Sequence, residues 1–358
     1  MPKALIAMSG GVDSSVVAWL TQQMGYDCIG AMMKLFDSEI LPPEQRCCSL
    51  DNTEDARAVA RKLNMPFHVF QSQTEFADKV IGDFIRSYEA GLTPNPCIQC
   101  NRHLKFDHFL RRARELGCDT IATGHYAQIR YDTERNRWLL CKAVDASKDQ
   151  TYFLYCLTQD QLAHTLLPLG SITKAEARQL AEGHGFVNAR KRDSQDICFV
   201  PDGDYVAFIR EFTGKEYPKG DYLDKDGKVV GQHQGAICYT LGQRKGLGIA
   251  LGAPAYVCGK DMDANTVTLG PNESLYATTL RANDWNWILF PTLAEPMRVS
   301  AKARHSHKEQ PATVYPEENG YARVVFDTPQ RALTPGQAVV LYQDDIVIGG
   351  GTIRDVVK

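Results

Sequence analysis

The sequence predicts an α/β protein: a doubly wound parallel sheet, then a small Gly-rich central domain, then a C-terminal antiparallel β-barrel. Three observations carry this expectation. From Lys3 to about Gly124, apolar strand-like runs alternate with helical runs, the pattern of a parallel sheet covered on both faces. Beyond about Pro201, Gly, Pro and Asp become frequent and long helical periods stop. The last third carries short alternating runs divided by turn residues. The expected segments are 1–204, 205–275 and 276–358.

Lys3–Met8 is a continuous apolar strand. A helix over Ser14–Met24 would place Val16, Val17, Leu20 and Met24 on one face. Asp27–Lys34 is the second strand. Asn52-Thr53-Glu54-Asp55 opens a helix whose Ala56, Val59, Ala60 and Leu63 form a core stripe. Pro66–Gln71 is the third strand, Phe76–Tyr88 and Lys105–Leu116 are helices, and Thr120–Ala122 is a further strand. Thr173-Lys174-Ala175-Glu176 reads as a capping box for a helix ending at Gly183 or Gly185. Strands of the C-terminal part are expected at Tyr256–Gly259, Thr266–Leu269, Arg298–Ala303, Thr313–Tyr315, Tyr321–Phe326, Ala338–Gln343 and Ile346–Gly349, the last two joined at Asp344-Asp345.

Lys and Arg total 40 against 43 acids, a net charge of −3, which neither demands nor excludes a polyanionic partner. The start of the chain is one short strand, not a secretory or transit signal, and no apolar run is long enough for a membrane helix. A cytosolic, bacterial location without membrane contact is expected. Eleven cysteines in so long a chain read as thiols in a reducing compartment. Cys28, Cys118, Cys141, Cys156, Cys238 and Cys258 read as small buried hydrophobes, and Cys47-Cys48 as structural.

Ser9-Gly10-Gly11-Val12-Asp13-Ser14-Ser15 leaves a strand and enters a helix. Glycines let successive backbone N–H groups turn toward phosphate oxygens, and the helix dipole and Ser hydroxyls add to the attraction. Asp13 is a candidate Mg²⁺ ligand through a bridged pyrophosphate. Neither a GK[ST] loop nor GxGxxG is present, so P-loop ATPases and dinucleotide enzymes fit badly. Thr93-Pro94-Asn95-Pro96-Cys97-Ile98-Gln99-Cys100-Asn101-Arg102 reads as a proline-stiffened loop ahead of a helix. Arg102, His103 and Lys105 nearby would lower the pKa of a thiol there. Cys198 follows the basic run Arg190-Lys191-Arg192 but has apolar neighbours, so taken alone it reads as buried.

The glycine loop resembles the SGGxDS signature of the N-type ATP pyrophosphatases, whose adenine nucleotide α-hydrolase-like fold it implies. Together with PNPCxxCN, TGHYA at Thr123–Ala127, KDQTYFL at Lys148–Leu154, SQDICF at Ser194–Phe199 and TLGQRKGLGI at Thr240–Ile249, it closely resembles the tRNA-specific 2-thiouridylases from Lys3 to about Ile353. That resemblance implies synthesis of 2-thiouridine in tRNA, at wobble position 34, with release of AMP and pyrophosphate. ATP would be bound by Ala7, Met8, Ser9, Gly10, Gly11, Val12, Asp13 and Ser14, with Met33 and Gly124 completing the pocket. Cys198 would take a persulfide sulfur from a sulfur-relay protein. Cys100 would be the nucleophile and form a transient disulfide with Cys198. Asn95, Pro96 and Cys97 would lie against the base, and Lys148, Asp149, Gln150, Arg304 and His305 would touch tRNA.

Two positions depart from the family pattern: Cys97 stands where many members have Asp, and His305 where Tyr is common. A third thiol also allows Cys97, Cys100 and Cys198 to ligate an Fe–S cluster. Basic residues at Arg102, Arg111, Arg112 and Arg114, at Arg190-Lys191-Arg192, and at Arg244-Lys245 are candidate phosphate contacts. The rival readings are an amidating synthetase of the same superfamily, and a non-catalytic nucleotide- and RNA-binding protein. Neither needs Cys100 or Cys198.

Overall fold

The computed structural model describes residues 1–36, 50–191, 197–200, 203–250 and 252–357. Cys47, Cys48, Arg192 and the Ser194–Asp196 part of the second cysteine motif lie outside the described residues.

The chain begins β1 (Lys3–Ala7), α1 (Val12–Gln23), β2 (Asp27–Lys34), α2 (Leu50–Lys62), β3 (Phe67–Gln71), α3 (Gln73–Phe76), α4 (Gly82–Glu89), α5 (Pro96–Gln99), α6 (Phe109–Glu115) and β4 (Thr120–Ala122). A hairpin of β5 (Gln128–Asp132) and β6 (Arg137–Cys141) follows, then α7 (Thr151–Leu154), α8 (Gln159–Ala163), β7 (Thr165–Leu166) and α9 (Lys174–Gly183). The sheet order is β3-β2-β1-β4-β7 with every neighbour parallel. Its central strand is apolar on both sides because helices cover both faces. Leu5 packs with Phe106, Phe109 and Ile121 on one face, and Ile6 with Val16, Val17, Val59 and Ala177 on the other.

After α10 (Tyr205–Thr213), strands β8 (Gly220–Leu223), β9 (Val229–His233), β10 (Tyr256–Asp261) and β11 (Thr266–Gly270) form a separate four-stranded sheet. The expected strands at Tyr256 and Thr266 therefore belong to the middle segment. The last part holds β12 (Tyr276–Trp287), β13 (Met297–Lys302), β14 (Gln310–Pro316), β15 (Ala322–Arg331), β16 (Ala338–Gln343) and β17 (Ile346–Val357). Strand β12 pairs with both β15 and β17, which closes six antiparallel strands into a barrel and leaves it no edge of its own. The β5–β6 hairpin adds to β17 from outside, at Ile346 opposite Cys141. The first domain and the barrel share a core, in which Tyr152 donates to the carbonyl of Ala338 at 2.9 Å.

Three expectations need correction. Helix α1 starts at Val12 and buries Ser14, Ser15 and Thr21, while Met24 is 55% exposed beyond its end. The helix expected from Lys105 starts at Pro96 and continues through a π-helical stretch, Cys100–His108, so both cysteines of the CxxC lie in it. Cys28, Cys118, Cys141 and Cys156 are buried, but Cys238 and Cys258 are only half-buried.

Lys260 on β10 has a buried amine without a hydrogen-bond partner among the described residues, and burial lowers its pKa from 10.5 to about 8. A base depressed in this way weakens folding while it is charged, so stability should rise as pH climbs from about 8 toward 10.5. Lys260→Met is expected to stabilise the protein by about 2 kcal/mol at pH 7, a gain that shrinks by pH 10. Denaturation midpoints of the two proteins at both pH values check this.

Candidate active site

Ser9–Ser15 leaves the carboxyl end of β1, the place where open parallel sheets hold ligands. Gly10 has φ +76°, and a Cβ there would lie 2.2 Å from the carbonyl oxygen of Asn52, so only glycine fits. The loop is tied from within: Ser14 Oγ donates to Gly11 O at 2.9 Å and accepts from the Ser9 amide at 3.2 Å. Asn188 Nδ2 donates to Gly10 O at 3.0 Å, and Lys191 Nζ reaches Asp55 at 2.7 Å and also bonds Asn52. Lys191 therefore points into the loop rather than onto a basic surface.

A cavity of about 490 Å³ opens above this loop. Ala7, Ser9, Gly11, Val12, Asp13, Ser14 and Gly124 line it, and so do Lys105, Lys148, Gln150, Lys174 and Lys191. Four ammonium groups around a helix N-terminus make a site for a polyphosphate. Asp13 does not face this space as a free carboxylate. Lys174 Nζ lies 2.7 Å from both of its oxygens, and Tyr126 OH donates to it at 3.0 Å. The expected Mg²⁺ role of Asp13 does not fit this donor set, because a lysine already occupies both oxygens. His125 Nδ1 lies 2.8 Å from Thr123 Oγ1. Burial, helped by the charge of Lys105, holds its pKa well below 6.5, so it is neutral.

A second cavity, of about 350 Å³, adjoins the first and shares Ala7, Ser9 and Lys105 with it. Met8, Met33, Pro96, Cys97, Cys100 and Cys198 line it, against a wall that includes Leu35, Phe76 and Phe199. Two thiols 98 positions apart in the chain thus line one cavity beside the Ser9–Ser15 loop. Proline at the first turn fixes the start of α5, and the wide π turn that follows begins at Cys100, a departure that tends to mark functional sites. Cys198 is held by its neighbour: the Phe199 ring is fully buried, with centroids 5.7, 5.1 and 5.1 Å from Phe76, Phe84 and Phe208. Burying such a ring contributes about 2–3 kcal/mol. Cys100 is 7% exposed, Cys198 half-buried and Cys97 exposed at the rim.

The expected low thiol pKa does not hold for Cys97. Crowding by the pocket wall raises its pKa, and Lys105 only partly offsets this. Arg102 and His103 face the opposite side of the helix, where they line a polar cavity of about 310 Å³ with Asn95, Gln99 and Asp284. Arg102 pairs with Asp284 at 2.6 Å. Asn95 thus points away from the cysteines, while Pro96 and Cys97 face them.

The remaining candidates divide. Lys148 and Gln150 line the phosphate cavity. Asp149 braces a turn, accepting from the Ala143 amide at 3.0 Å and Thr151 Oγ1 at 2.6 Å. His305 is exposed and packs 4.4 Å from the Phe153 ring. Arg304 is turned inward, donating to Leu241 O and Thr334 Oγ1, and burial lowers its pKa. Arg111, Arg112 and Arg114 pair with Asp107, Glu115 and Asp160. Arg244 and Lys245 stay exposed.

Sequence reasoning missed Lys105 and Lys174 as site residues. Lys174 had a signal: a lysine in the first helical turn opposes the helix dipole, so something else must hold it there. It also missed Gln337, whose Nε2 donates to Thr93 O at 2.9 Å and Pro94 O at 3.3 Å, bracing the approach to Pro96 from the barrel.

Comparison with known proteins identifies the family. A family model described as the tRNA methyl transferase HUP domain matches residues 2–202. Models of a tRNA methyl transferase PRC-barrel domain and an aminomethyltransferase beta-barrel domain match 206–271 and 277–353. The chain is 52% identical over 355 residues to the tRNA-specific 2-thiouridylase MnmA of Acetivibrio thermocellus, covering 98% of this chain and 99% of that one. To the protein of the same name from Clostridioides difficile it is 50% identical over 353 residues, 98% of each chain. The chain belongs to the tRNA-specific 2-thiouridylase family.

Proposed function

We propose that the protein uses ATP to adenylate O2 of the wobble uridine in tRNA, then replaces that oxygen with sulfur carried by Cys198 and resolved by Cys100. The observation behind this reading is the shared wall: a cavity lined by three thiols meets a lysine-lined phosphate cavity at Ala7, Ser9 and Lys105. A uridine O2 is a poor leaving group until AMP is placed on it. In this reading O2 attacks the α-phosphorus, and pyrophosphate leaves into the cavity of Lys148, Lys174 and Lys191. Lys105, at the junction, faces both the phosphate and the incoming sulfur. A persulfide on Cys198 attacks C2 directly, or Cys100 first frees its outer sulfur as sulfide. Either route expels AMP and ends with a Cys100–Cys198 disulfide. His125, being neutral, supplies hydrogen bonding rather than charge.

A sulfur-relay protein carrying a persulfide would load Cys198. Magnesium would enter with the ATP phosphates rather than on Asp13. Among the described residues no group of three or more His, Cys, Asp or Glu stands ready to hold a metal, and no step is assigned to an Fe–S cluster on Cys97, Cys100 and Cys198. No helix among the described residues is long and apolar enough to cross a membrane.

The test is an assay with ATP, Mg²⁺, a persulfide donor and unmodified tRNA. Pyrophosphate and thionucleoside are expected in equal amounts. Pyrophosphate accompanied by an amidated product would favour the synthetase reading, and nucleotide binding with no turnover would favour the non-catalytic one.

A further inference from the structure

Three thiols line the cysteine cavity, and the transfer reaction uses two. We propose that Cys97 is a recycling thiol, which takes over the disulfide left by sulfur transfer and presents it at the surface for reduction. This step rests on the two-thiol reading above. Its first support is the order of exposure: Cys100 is buried, Cys198 half-buried and Cys97 exposed. A Cys100–Cys198 disulfide would sit among Met33, Leu35, Phe76 and Phe199. The active-site dithiol of a reducing protein must approach a sulfur in line with the S–S bond, and the exposed Cys97 offers a less crowded sulfur than the half-buried Cys198 or the buried Cys100.

The second support is spacing. Cys97 and Cys100 lie three apart on one helical turn that opens with Pro96. Side chains so spaced have Cβ atoms about 5–6 Å apart. A disulfide spans about 3.5–4.5 Å between Cβ atoms, so a shift of about 1–2 Å closes the gap. The third is charge: Lys105 lines the same cavity and partly offsets the crowding that raises the Cys97 pKa.

The step balances without an added oxidant. The Cys97 thiolate attacks the Cys100 sulfur, the Cys100–Cys198 bond breaks, and the Cys97–Cys100 bond forms. The electron pair leaves on Cys198, which takes up the proton that Cys97 gave off. Cys198 is then free to accept another persulfide, while an external dithiol reduces Cys97–Cys100 and is itself oxidised.

The experiment is one turnover with persulfide-loaded protein, ATP and unmodified tRNA, followed by acid quench, alkylation and peptide mapping. The expected product is a Cys97–Cys100 disulfide with Cys198 alkylated, whereas Cys97→Ser should stop at Cys100–Cys198. In steady state, Cys97→Ser should turn over about tenfold more slowly with a protein dithiol than with a small phosphine, while the parent protein shows no such gap. A parent protein that holds Cys100–Cys198, with Cys97 alkylated, overturns the proposal and leaves the transfer mechanism standing. Thionucleoside formed with all three thiols free overturns both.

Discussion

Cys100→Ser and Cys198→Ser are each expected to lower thionucleoside formation from a persulfide donor by at least about 10³-fold, while pyrophosphate release persists. Serine matches cysteine in size, so the packing of the 7%-exposed Cys100 survives and the loss reports chemistry. A hydroxyl cannot carry a persulfide, nor can it cleave one. The two losses should not add, because the residues act in one sequence: the double variant should be no worse than either single one. Pyrophosphate release survives because Ser9–Ser15 and the lysines assemble without the thiols. If Cys100→Ser keeps full activity, Cys100 does not resolve the transfer.

The second large effect is expected at Lys174, which lines the phosphate cavity from the start of α9 while gripping Asp13 at 2.7 Å. Lys174→Met removes a cation at the place where pyrophosphate charge develops and leaves the Asp13 carboxylate facing the same space. A preorganised charge of this kind is worth about 3–4 kcal/mol, so kcat/KM for ATP should fall by about 10²–10³-fold. Asp13→Asn added to Lys174→Met should recover part of this, because it removes the exposed negative charge. Equal losses in the single and double variants would mean that the pair only holds the loop together. Rates of pyrophosphate release across the cycle decide between these outcomes.

Much of this was legible from the chain because local rules and tertiary structure agree. Lys3–Met8 had to be buried on both faces, and the glycine loop after it had to turn into a helix. Cys100 and Cys198, which the motifs single out, line one cavity beside the loop that follows β1. What the chain hid was set by long-range partners. Lys191 reads as part of a basic run, yet Asp55 and Asn52 draw it inward from 136 and 139 positions away. Arg304 reads as an RNA contact, but Thr334 and Leu241 hold it. The two prolines flanking Asn95 suggest a loop at the start of α5, although proline at a first helical turn is favourable. Barrel closure depends on β12, which the short alternating runs did not reveal.

The most direct measurement follows one oxygen atom. A tRNA carrying ¹⁸O at O2 of the wobble uridine is turned over with unlabelled ATP, and the released AMP is weighed by mass spectrometry. Adenylation at the Ser9–Ser15 loop predicts one ¹⁸O per AMP, matched one for one by thionucleoside. Unlabelled AMP beside fully formed thionucleoside would show that the oxygen leaves by another route and would contradict the account.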